Sequence, residues 1–161
     1  MTGAAGAGTG AAGAGNGAAG LVIQADGRSK AYRPIPRADR VTAVRAGLEA
    51  YDRGDFFLAH ELLEPAWMGT DDVLERALIQ GLIKLAAADV HGVRGNPAGV
   101  ARNVEGALER LRLAAADSGR DLPDIGVDLD LAAVIVAAER RLERATDGAA
   151  TDPIAITWRS A

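Results

Sequence analysis

Apolar residues recur three and four positions apart through most of this chain, the spacing that puts them on one face of a helix. Val41, Val44, Leu48 and Tyr51 form the first such stripe and predict a helix from about Pro36 to Arg53. Gly54 ends it, and Asp55 has the chemistry of an N-cap for the next helix. That second helix carries HELLEPAW, residues 60–67, with Pro65 inside it. An interior proline loses one backbone hydrogen bond and crowds the carbonyl four residues back, at a cost of about 3 kcal/mol. A kink or an early last turn near Trp67 is therefore expected. A third helix is expected from Asp72 to His91, with Asp72 and Glu75 as a capping box. Asn96 and Pro97 open a fourth, which buries Val100, Val104, Leu108 and Leu111. Asp128 or Asp130 opens a fifth, with Leu131, Val134, Ile135, Ala138 and Leu142 on its inner face. Residues 152–158 read as an extended segment burying Ile154, Ile156 and Trp158.

The fold class is therefore all-α: a compact bundle of about five helices in stacked antiparallel hairpins, since short connections make neighbouring helices antiparallel. A faint repeat supports the pairing: Gly54, Ala59 and Ala66 share their offsets with Gly95, Val100 and Ala107. The remainder of the chain has another texture. Sixteen of the first twenty residues are Gly or Ala, too little side chain to offset the entropy of ordering. Residues 1–31 are expected to be a disordered tail and leader, and 32–161 a single helical domain. The glycines do not make a phosphate loop, which needs a preceding strand and a following Lys and helix.

Composition narrows the function. The net charge is −4, and sixteen Arg with two Lys are scattered among 22 acids, so no basic stripe marks a nucleic-acid surface. No apolar run approaches the roughly 20 residues that span a bilayer, and the N-terminus lacks the features of a secretory signal. A cytoplasmic protein with no nucleic-acid or membrane partner is the expectation. Absence of cysteine removes disulfides and thiolate metal sites.

The candidate chemistry lies on the second helix. His60, Glu64 and Trp67 are four and three residues apart, so they stack on one face. Folding the chain about the turn near residue 70 sets His60 opposite Gln80 and Gly81, and Glu64 opposite Arg76. Gln80 is then a hydrogen-bond partner for His60, Gly81 lets the two helices close up, and Arg45 or Arg76 pairs with Glu64. His60 and Glu64 alone make a weak metal site. His91, the other histidine, is roughly 15 Å too far along its helix to join them. Glu61 shares their side only partly and is read as a solvated residue. No metal or cofactor is expected.

These residues resemble a known family. The HxxxExxW of His60, Glu64 and Trp67 is similar to the signature of the family catalogued as domain of unknown function 309. So are Gln80–Gly81 within IQGLIKLAAA, His91, and Gly95–Asn96 followed by Gly99. The resemblance covers about residues 45–115. It implies a compact all-α domain, no assigned activity, and a shared role for His60, Glu64, Trp67 and Gln80. The residues themselves favour a module that binds a protein partner, a second copy of itself or a small ligand through His60, Glu64, Trp67, Gln80 and Gly81. In that reading His60→Ala and Glu64→Ala lower stability as members of one network. The alternative is a hydrolase-like or metal-assisted enzyme centred on His60 and Glu64.

Overall fold

The computed structural model describes residues 20–23, 27–116 and 122–161. The Gly/Ala-rich tail, and with it the expectation of disorder over residues 1–19, lies outside the described residues. Helices occur where the apolar stripes place them: α1 (Arg37–Asp52), α2 (Phe56–Met68), α3 (Val73–Val93), α4 (Pro97–Ala115) and α5 (Leu131–Thr146). Four short strands accompany them: β1 (Gly20–Ile23), β2 (Ser29–Tyr32), β3 (Val127–Leu129) and β4 (Trp158–Ser160).

Four helix starts are set by side-chain caps. Asp55, Asp72, Asn96 and Asp130 each accept a hydrogen bond from the backbone N–H three residues on. This satisfies donors that the helix leaves without an internal partner. Asp130 rather than Asp128 caps α5, because Asp128 lies within β3. The capping box of α3 is half formed: Asp72 accepts from Glu75 N, but the Glu75 carboxylate turns away to Thr70 Oγ1 (2.9 Å) and Arg40 Nε (2.7 Å). Helix α2 runs through Pro65 to Met68.

Consecutive helices pack antiparallel, and small residues set two of the contacts. A Cβ on Gly47 of α1 would lie 2.6 Å from Leu63 Cγ of α2. A Cβ on Gly81 of α3 would lie 2.5 Å from Leu111 Cδ2 of α4. Gly81 therefore closes α3 onto α4, not onto α2 as the folded register suggested; the α1–α2 approach rests on Gly47. The core between these faces holds Leu48, Leu63, Leu78, Leu82, Leu108 and Val134, each 2% exposed or less.

Two segments outside the helices pair as strands beside the bundle. Residues of the leader form the β1–β2 antiparallel hairpin, and Arg33 N donates to Met68 O at the end of α2 (2.8 Å). At the other end, β4 pairs antiparallel with β3, Leu129 opposite Trp158. Ile154 and Ile156 are buried, and Trp158 is half-buried with its Nε1 donating to Asp52 Oδ2 (2.9 Å). Among the described residues, no helix is long and apolar enough to cross a membrane.

Candidate functional site

Helix α2 is pinned by a narrow apolar face. Phe56, Ala59, Leu63 and Ala66 are buried, which fixes the rotation of the helix and so the direction of every other side chain on it. His60, Glu64 and Trp67 flank this face and are half-buried. Their surroundings differ from the folded register.

His60 Nδ1 lies 3.2 Å from Glu61 Oε1, and among the described residues Gln80 makes no hydrogen bond to it. The His60 side chain is 33% exposed and that of Glu61 51%. Glu61 is solvated, yet its length lets it fold back over the imidazole.

Neither arginine assigned to Glu64 reaches it. Arg45 Nη2 donates to Gly126 O (3.4 Å), and Arg76 Nη1 donates to Trp67 O and Thr70 O (both 2.9 Å). Arg76 thus covers the carbonyl end of α2, where a cation complements the helix dipole. Its guanidinium also lies 5.0 Å from the Trp67 ring centroid, in cation–π range. Burial holds its pKa below the usual arginine value.

Trp67 packs against the core. Its Nε1 is buried without an acceptor among the described residues. Trp67 is therefore fixed by stacking and burial.

His60, Glu61 and Glu64 converge instead. One donor atom from each lies within 4.8 Å of the others. Among the described residues this is the one group of three or more His, Cys, Asp or Glu side chains placed to share an ion. The sequence signal for Glu61 was its side-chain reach, which helical spacing alone does not register.

Pattern reading also missed a buried polar cluster. Tyr51 Oη donates to Asp89 Oδ2 (2.6 Å), Arg141 Nη2 lies 2.5 Å from Asp89 Oδ1, and Arg141 Nε donates to Thr151 Oγ1 (3.0 Å). The Asp89 and Arg141 side chains are 0% and 4% exposed. Burial raises the Asp89 pKa, opposed by its bonds to Tyr51 and Arg141. The cluster joins α1, α3 and α5. His91 stands nearby in sequence but belongs to the α3–α4 turn, its Nδ1 3.2 Å from Asn96 Nδ2.

The fold and this geometry define a small all-α bundle with a half-open His/Glu group on its second helix. Residues 44–103 match the model of the family described as Domain of unknown function (DUF309). The matched span runs from α1 into α4 and includes His60, Glu64, Trp67, Gln80 and Gly81. Comparison with curated proteins and with solved structures gives no match.

Proposed function

We propose that the domain is a ligand-binding module whose site is the half-open strip of α2 formed by His60, Glu61 and Glu64. The observation that carries this is the release of His60 and Glu64 from structural duty. The side chains expected to fasten them, Gln80, Arg45 and Arg76, are not bonded to them. By contrast, Trp67 and Gly81 serve packing: Trp67 stacks under Arg76, and Gly81 admits Leu111. Polar groups held in place by a rigid helix and bonded among themselves rather than to neighbouring helices are suited to binding something from outside.

This reading changes the expected behaviour of the variants. Surface substitutions away from packed features alter stability by roughly 0.5 kcal/mol or less. The triple variant H60A/E61A/E64A is therefore expected to fold with a melting temperature close to wild type, not to suffer a coupled loss. Thermal melts of both proteins against a panel of divalent cations, amines and carboxylate metabolites test the function. A ligand that binds only the folded state raises the melting temperature. At least one class is expected to stabilise wild type and not the triple variant. A panel in which nothing separates the two proteins overturns the reading.

A further inference from the structure

We propose that His60, Glu61 and Glu64 bind one divalent transition-metal ion, with its outward coordination positions left open. The inference deepens the reading of α2 as a binding strip and rests on it.

The distances come first. Zinc holds nitrogen and carboxylate oxygen donors at about 2.0–2.2 Å, so two donors at a tetrahedral angle stand about 3.4 Å apart. His60 Nδ1 and Glu61 Oε1 are already 3.2 Å apart. The third donor brings the widest separation to no more than 4.8 Å. Closing the remainder takes rotation about glutamate side-chain bonds, with no shift of the helix.

Electrostatics point the same way. The His60–Glu61 contact places a ring nitrogen against a carboxylate oxygen, and a cation held between them takes the place of the bridging proton. Glu64 adds a second, half-buried carboxylate one turn on, and the two arginines nearest by register are engaged elsewhere. A half-buried carboxylate is favoured by a counter-charge beside it. A cation between the three groups does both at once.

The donor set selects the ion. One imidazole with two carboxylates suits zinc, cobalt, nickel or ferrous iron. Calcium takes six to eight oxygen ligands and magnesium retains most of its water, so both fit poorly. All three donors come from adjacent turns of a single helix and approach from one side. A closed structural site has four protein ligands. Three leave positions for water or a second ligand.

The experiment uses the full chain without an affinity tag. Cobalt chloride is titrated while the visible d–d absorption is followed, and zinc chloride binding is measured by calorimetry. The expected result is one ion per chain. His60→Ala and Glu64→Ala should each weaken zinc binding at least tenfold, while Asp128→Ala, an acid on a different element, should leave it unchanged. Millimolar magnesium should not displace the ion. Should H60A fail to fold, the near-isosteric E61Q/E64Q variant carries the same test. No saturable binding, undiminished affinity in H60A or E61Q/E64Q, or equal competition by magnesium overturns the proposal. If metals fail but another compound still separates wild type from H60A/E61A/E64A, the metal site falls and the binding strip stands. If nothing separates them, both fall.

Discussion

A methyl group added at Gly47 or Gly81 enters space already filled by a buried leucine. Its Cβ would lie 2.6 Å from Leu63 Cγ in the first case and 2.5 Å from Leu111 Cδ2 in the second. Two effects compete in these substitutions. Replacing a mid-helix glycine by alanine stabilises a helix by about 1 kcal/mol. Overpacking a filled core costs about 1–3 kcal/mol. Both leucines are 1% exposed or less, so they have little room to yield, and overpacking should win. At Gly106 the balance reverses. The added Cβ would meet Lys84 Cδ and Nζ at 3.1 Å, the far end of a flexible side chain. We expect G47A and G81A to lower the melting temperature and G106A to leave it unchanged or raise it slightly. Equal losses in all three would show that contact distance does not decide the outcome. The same scale explains what was legible at the site. Helical spacing places His60, Glu64 and Trp67 on one side because direction depends on position along the helix alone. Which group each then touches depends on side-chain length and on competing partners. Glu61 reaches His60, and Arg76 is drawn to the end of α2, for reasons that spacing does not encode.

Helix boundaries depend on local chemistry, and here that chemistry is explicit. The aspartates at 128 and 130 stand two residues apart but have different duties. Asp130 accepts the Ala133 N–H at the start of α5 (3.0 Å), while Asp128 pairs with Arg159 across the β3–β4 ladder, with both side chains largely exposed. Loss of an N-cap costs about 1 kcal/mol. An exposed ion pair contributes roughly 0–1 kcal/mol and is screened by salt. Urea denaturation of D130A should show the larger loss, and one that persists at high salt through the lost cap hydrogen bond. D128A should be close to wild type at high salt, and a reversed order would reassign the cap. The five helices were legible because an apolar stripe marks each of them and a side-chain cap opens four. The sheets were not. Strands β3 and β4 are three residues each and stand roughly thirty residues apart in sequence, too short to carry an alternating pattern. The extended character of residues 152–158 could be read, that of β3 was not, and the pairing depends on α5 returning the chain to β3. The direction in which Gly81 packs was missed for a related reason: a small residue advertises a close approach, not the neighbour that makes it.

The molecule as a whole is tied together by the buried group of Tyr51, Asp89 and Arg141, which links α1 and α3 to α5. Thr151 extends it towards the C-terminal segment by accepting from Arg141 Nε. Burial raises the pKa of the Tyr51 phenol far above its ordinary 10.0, and the neighbouring Asp89 carboxylate adds to the rise. Arg141 and the backbone at Ile154 oppose it without reversing it. The sign of the linkage follows. Above pH 10 the unfolded chain loses the Tyr51 proton while the folded chain keeps it, so the folded state binds more protons. Stability must then fall as pH rises, by about 1.4 kcal/mol per unit for one such group. Lys84 acts in the opposite sense: burial lowers its pKa from 10.5, so over the interval just below that value the unfolded chain holds the extra proton. Comparison with Y51F removes this contribution, because both proteins retain Lys84. At neutral pH Y51F is expected to be less stable by about 1–3 kcal/mol, since Asp89 keeps its burial and loses a donor. Above pH 10 wild type should lose stability faster than Y51F, so that the gap between them narrows and then closes. Urea melts at pH 8, 9, 10 and 11 give the two curves. If they run parallel, the phenol ionises as readily in the folded bundle as in the unfolded chain, and the tie between α1 and α3 does not hold a proton.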